Sequence, residues 1–416
     1  MATQSAKEAT GEGIKAYGLS HKEIIQLARK MYSSGAANAQ PLFLAGPPGA
    51  GKTDSVKKLA ELLFQDVVAN RGSRSDLASL TVTKRKKTSA ADPTEVTVYA
   101  NDVCEFPCIV ISAPLLDPID VKGVPAIDLE RQVAYWIKPY FLPKKGPGLI
   151  LIDDITAASK SVVASLLMLV QHRRVLEYVL PDDIMIIAAG NRVEDASDCN
   201  QLSAAMRSRM THINFVPDFD EWVEWAFAHD IHPSVIGFLR WKGGDQYFNT
   251  KESELHDGPF PCPRTWEHAS NIIGLKMPRK IMREAIMGCV GLAAGNEYMM
   301  YSDMYQELPK IEDIMKSPED APVPKTMDGL YAVATAVAAQ AKHDQHHKSI
   351  IKYAMRLPEE FQILTIGDAI RQNYAIVLAG DRLKDGKIDY AGYITEFVKK
   401  HERVLTNHKK LSKDNS

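Results

Sequence analysis

The chain has 416 residues, 45% of them hydrophobic and 25% charged, with a formal net charge of -2. Such a length points to two or three domains of an ordinary globular protein. The near-neutral balance excludes bulk electrostatics as a force driving the chain onto nucleic acid or an anionic membrane. No apolar run approaches a membrane span. The five cysteines, Cys104, Cys108, Cys199, Cys262 and Cys289, are odd in number and contain no CxxC pair, so neither a disulfide framework nor a zinc site is suggested.

In chain order, residues 1–19 read as a flexible arm. Met1 to Lys15 is polar and lacks the apolar core of a signal peptide, so a cytoplasmic location is expected. Ser20 with Glu23 three residues on is a capping box, and Ile24, Ile25, Leu27, Ala28 and Met31 form the apolar face of a helix ending near Gly35.

Leu42 to Ala45 is an apolar strand. It runs into Gly46-Pro47-Pro48-Gly49-Ala50-Gly51-Lys52-Thr53, and Asp54 follows in a helical run from Lys52 to Leu63. The eight residues fit the phosphate-loop pattern G-x-x-x-x-G-K-[ST] in the strand–loop–helix context it requires. Glycines let the backbone wrap a phosphate, and the loop ends at a helix N-terminus, which favours an anion. Lys52 would reach the β- and γ-phosphates of a nucleotide and Thr53 would offer its hydroxyl to Mg²⁺.

Arg71 to Asp102 reads as polar and irregular. It carries Lys84-Arg85-Lys86-Lys87, which is either a nucleic-acid contact or a solvated hairpin tip; no aromatic residues interleave with the charges, which favours the tip. Cys108 to Ser112 is a buried strand. Val133 to Leu142 suggests a hairpin, and Pro143 to Gly148 a turn.

Leu149-Ile150-Leu151-Ile152-Asp153-Asp154 is a continuous apolar run ending in two carboxylates. Strands buried on both faces read this way, and open α/β sheets place ligand chemistry at strand C-termini. Asp153 would hold Mg²⁺ and Asp154 would orient or deprotonate an attacking water. A helix is expected over Ser159 to Val170 and a hairpin over Arg173 to Tyr178. Ile184 to Ala189 is a further strand. Asn191 at its tip is either a water-holding amide or a turn asparagine. Arg207 and Arg209 precede the last strand, Ile213 to Val216. Five strands separated by helices read as a doubly wound α/β sheet.

From Phe219 onward the pattern is helical, with helices expected over Glu221 to His229, Ser234 to Trp241, Thr265 to Ile273, Ile281 to Ala294, Met327 to Ala341, Lys348 to Leu357, Glu359 to Leu378 and Tyr390 to His401. Pro263-Arg264 opens the third of these. His343, His346 and His347 stand at helical spacing, either as metal ligands or as a solvated helix end; the second fits better, since Asp344 points off their shared face. The polar tail from Asn407 is expected to fray.

Phosphate loop, acid-ended strand, strand-tip asparagine, arginine pair and Pro-Arg, in that order, resemble the AAA+ ATPases, and among them the MoxR-like group with its midasin- and dynein-related neighbours. The resemblance covers roughly Ser20 to Ala294. It implies a five-stranded parallel core over residues 20–216, an α-helical lid over 217–300 and an additional α-helical region over 301–416. It makes Lys52 and Thr53 the Walker A pair and Asp153 the magnesium carboxylate. Asn191 stands where sensor 1 stands, and Arg209 matches the arginine finger, with Arg207 in reserve. Arg264 matches the sensor-2 arginine of the lid. It also implies ATP and Mg²⁺ as ligands, a homo-oligomeric ring, most often a hexamer, and a protein substrate or adaptor, which in this group can be of the von Willebrand A type.

The chain departs from the family at Asp154, where a glutamate is usual. Aspartate is shorter by roughly 1.5 Å of reach, and a misplacement of about 1 Å can cost on the order of 100-fold in rate. Three functions follow as expectations: a remodelling or assembly ATPase, a slow or non-hydrolysing ATP-gated scaffold, and, least favoured, a nucleic-acid-stimulated motor.

Overall fold

The computed structural model describes residues 18–36, 40–70, 81–85, 94–100, 104–192, 195, 199–244, 246–248, 258–275, 277–306, 308–378, 381–382, 388–389 and 397. The chain divides into two compact units, one ending at Asp218 and the other beginning at Phe219.

The first unit is built on a seven-stranded sheet. Its strands are β1 (Leu42–Ala45), β2 (Thr81–Arg85), β3 (Thr94–Ala100), β4 (Glu105–Ser112), β7 (Gly148–Asp153), β10 (Ile184–Gly190) and β11 (Thr211–Asn214). Their order is β11-β1-β10-β7-β4-β3-β2. The first five are mutually parallel. β3 and β2 continue the sheet antiparallel. The apolar runs read as buried strands are all in the parallel part, and β1 and β10 are buried along their whole length. Alternate side chains feed two cores. Phe43, Ile150 and Ile186 pack on one face with α4 (Lys160–His172). Leu44, Leu151 and Ile187 pack on the other with α1 (His21–Ser33) and α2 (Lys52–Asn70). The Ser20/Glu23 capping box is formed.

Two expectations for this unit are corrected. The sheet has two strands more than the five inferred, because Thr81–Arg85 and Thr94–Ala100, read as irregular, are strands. Their β-branched alternation carries the signal, but the interspersed charges hide it. Lys57 on α2 pairs with Glu95 at 3.0 Å, so a charge on β3 is matched rather than solvated. The first hairpin is β5 (Val124–Asp128) with β6 (Val133–Ile137), so Val133 begins its second arm instead of its first. β8 (Arg174–Val175) and β9 (Tyr178–Val179) form the small hairpin expected there. Side chains of the basic run at Lys84 to Lys87 lie outside the described residues. Cys108 is fully buried, and burial pushes its thiol up to about 12.

The described part of the second unit is almost wholly helical. Phe238 on α7 (Pro233–Trp241) centres an aromatic core with Trp266, Tyr298 and Tyr301, which stand on α8 (Pro263–Ile273) and α10 (Leu292–Gln306). α12 (Met327–Ala338) packs on α7, and also on α14 (Glu359–Gln372) in a second apolar core. The helix expected from Ile281 to Ala294 is broken at Gly291, whose φ of +86° ends α9 (Arg279–Val290) before α10 begins. The helix from Glu359 stops at Gln372 and gives way to a 3₁₀ turn. His343 is not helical, and His347 is buried with Nε2 2.9 Å from the Ala341 carbonyl. The helix expected over Tyr390 to His401 lies outside the described residues apart from Phe397, as does the tail. No described helix is long and apolar enough to cross a membrane.

Candidate nucleotide site

The parallel strands β1, β7 and β10 bring their C-terminal ends to one edge of the sheet. That edge gathers the phosphate loop after β1, the carboxylates after β7 and Asn191 after β10. Two glycines make the loop possible. A Cβ on Gly46 would stand 2.8 Å from Phe215 Cβ and 3.0 Å from its carbonyl oxygen, contacts that backbone packing cannot relieve. Gly51 has φ of +91°, in the left-handed region open to glycine.

Lys52 is 7% exposed. Its ammonium donates to the carbonyl oxygens of Gly46 at 2.8 Å and Pro47 at 2.9 Å, and to Asn191 Oδ1 at 2.9 Å. Thr53 Oγ1 donates to Asp153 Oδ2 at 2.7 Å, across 100 residues of sequence. Burial pushes the Asp153 carboxyl above its ordinary value. The Thr53 hydroxyl opposes that shift, and the neighbouring Asp154 charge adds to it. A carboxylate in this position gains from a cation. Thr53 and Asp153 together present two hard oxygen donors, which suit Mg²⁺ with waters completing its shell.

Asp154 has φ of +51° and an exposed side chain; its N–H donates to Asp153 Oδ1 at 3.1 Å. Aspartate tolerates this backbone better than glutamate does. Asp54 is exposed in the first turn of α2, and Pro48 and Ala50 complete the loop.

The structure adds residues that sequence reasoning missed. Thr156 is buried, and its Oγ1 accepts the Asn191 N–H at 3.0 Å, tying the β10 tip to the turn after β7. His21, the first residue of α1, stands 2.6 Å from Ser55 Oγ on α2. Neither pair has a sequence signature, since each joins residues 34 or more apart.

The other candidates lie elsewhere. Arg207 ends α5 (Ala204–Arg207), and Arg209 follows it with Nη1 donating to the Ala205 carbonyl at 2.6 Å. β11 starts at Thr211, opposite Leu42 at the start of β1, while Asn214 pairs Ala45 next to the loop. The arginine pair therefore sits at the edge of the sheet opposite the phosphate loop, a strand length of about 13 Å away. Arg264 is exposed at the second position of α8, in the second unit.

Residues 41–210 match the family model of the AAA domain, dynein-related subfamily. No curated protein matches the chain. Among solved structures, a variant of Thermotoga maritima RuvB is 14% identical, with 89% of this chain and 94% of that chain covered at a TM-score of 0.28. The Aeropyrum pernix ORC1 protein in complex with DNA is 11% identical, with 87% and 95% covered and a TM-score of 0.34. NtrX from Brucella abortus is 10% identical, with 84% and 64% covered and a TM-score of 0.30.

Proposed function

We propose that this protein is a Mg²⁺-dependent ATPase of the MoxR-like kind, acting in an oligomeric ring to remodel or assemble a protein partner. One observation carries the reading. The Lys52 ammonium, the Asn191 amide, the Thr53 hydroxyl and the Asp153 carboxylate meet at one sheet edge, beside a loop shaped for phosphate. Lys52 would trade its carbonyl partners for phosphate oxygens, a charge-assisted exchange. Asn191, held by Thr156, would place a water near the γ-phosphate, and Asp154 would accept its proton. Bound Mg²⁺ would neutralise phosphate charge at Thr53 and Asp153.

The position of Arg207 and Arg209 supports assembly. At the far edge of the sheet, neither serves the loop of its own chain, but either can serve a neighbour's. An arginine supplied in this way is worth roughly 10³ to 10⁵ in rate, which would make turnover depend on ring formation. Arg264 is proposed as the lid contact to nucleotide. A hexamer, a von Willebrand A-type partner and a cytoplasmic location belong to the same proposal.

Steady-state ATP hydrolysis across a range of protein concentrations, with Lys52→Ala as the blank, tests it. Specific activity should rise with concentration and collapse in Arg209→Ala. The short Asp154 side chain favours a second reading, an ATP-gated scaffold. Nucleotide binding without turnover above the blank, restored by neither concentration nor candidate partners, would select that reading.

A further inference from the structure

We propose that His21 is a positioning residue of the phosphate loop. It donates from Nδ1 to Ser55 Oγ and, through that hydroxyl, holds the Gly51 carbonyl in place. This rests on the nucleotide-binding reading above.

Ser55 is 1% exposed in the first turns of α2. Both its hydroxyl and its N–H donate to the Gly51 carbonyl, each at 2.9 Å. A hydroxyl has one proton. With that proton on Gly51, the 2.6 Å contact to His21 is satisfied when the ring donates, so the imidazole proton sits on Nδ1. Helical serines bond to the carbonyl four residues back without outside help; here a donor from another helix fixes the hydroxyl's rotamer and strengthens the bond it makes. The peptide is planar, so pinning Gly51 O also sets the direction of the Lys52 N–H on its other side. Gly51 has φ of +91° and open space where a Cβ would be, so its own side supplies no steric stop. The hydrogen bonds supply it.

His21 is itself anchored. Two residues upstream, Leu19 N–H donates to Asn214 O at 2.9 Å and Leu19 O accepts Val216 N–H at 3.0 Å, so the chain entering α1 runs along β11. The ring is therefore a fixed post between the sheet edge and the loop. Burial holds its pKa below the ordinary value, with the Lys22 and Lys58 charges acting the same way and Asp54 opposing. Burial thus favours the neutral ring, for which the tautomer is a defined property.

The test is Mg²⁺-ADP binding to the full chain by calorimetry. His21→Ala should weaken binding about five- to tenfold, the worth of one hydrogen bond. His21→Asn, whose amide nitrogen stands where Nδ1 stands, should stay within about twofold of wild type. Ser55→Ala should match His21→Ala, and the double variant should lose no more than either alone. Binding by His21→Ala equal to wild type, or losses that add in the double variant, would overturn the inference. Lys52→Ala separates the two levels: if it binds as wild type does, the nucleotide reading falls and this inference with it. If it loses binding while His21→Ala does not, this inference alone falls. Nitrogen NMR of wild-type protein needs no variant. A proton on Nδ1 of His21 supports the relay, and a proton on Nε2 refutes it.

Discussion

Arg240 on α7 and Asp368 on α14 form a buried ion pair whose side chains are 7% and 2% exposed. Arg240 Nη2 donates to Asp368 Oδ1 at 2.9 Å, and Nη1 donates to Oδ2, a bidentate match. Asp368→Ala would leave a largely buried guanidinium without its carboxylate, a loss of about 3–5 kcal/mol. The reverse change should cost less. Arg371 Nη1 lies 3.5 Å from Asp368 Oδ1, so Arg240→Met leaves the carboxylate a second cation. Arg240→Met with Asp368→Leu removes both charges and should recover most of the loss. Urea unfolding followed by tryptophan fluorescence reads mainly this unit, because four of the five tryptophans, Trp222, Trp225, Trp241 and Trp266, belong to it, and Trp136→Phe removes the one in the first unit. With a slope of about 2 kcal/mol/M, Asp368→Ala should lower the midpoint by about 1.5–2.5 M. A shift below about 0.5 M, or a double variant less stable than Asp368→Ala, would refute the reasoning.

Gly46→Ala should destabilise the first unit by about 1–3 kcal/mol through overpacking against Phe215, and should weaken nucleotide binding in the same preparation; thermal melts and calorimetry check both. Thr156→Val should lower turnover about tenfold by orphaning the Asn191 N–H, while Thr156→Ser keeps near wild-type activity; equal rates for wild type and valine would remove Thr156 from the site. Asp153→Asn should abolish the Mg²⁺ dependence of nucleotide binding without lowering the melting temperature in EDTA. The folded pKa of Asp153 is raised, so the native state holds its proton to higher pH than the unfolded chain does. Its contribution to stability therefore falls as pH rises from the unfolded value through the folded one, and Asp153→Asn should remove that part of the slope.

Much of the site is legible because its parts are local. The phosphate loop, the apolar strand ending in Asp153 and Asp154, and the Ser20/Glu23 capping box each lie within eight consecutive residues. Their spacing reflects constraints that operate over one turn or one strand. Charge masked β2 and β3, since Lys84, Arg85 and Glu95 interrupt their alternation, and the partner of Glu95, Lys57, lies 38 residues earlier on α2.

The sequence by itself determined the phosphate loop, the paired carboxylates and the buried strands, because continuous apolar runs and glycines at fixed offsets leave few other conformations. Tertiary structure alone decided which strand tips meet. It set Lys52 against Asn191 and Thr53 against Asp153, tied His21 to Ser55, and placed Arg207 and Arg209 at the opposite edge of the sheet. These relations depend on strand order and parallel register, which arise from packing both faces of the sheet at once. No spacing along the chain encodes that.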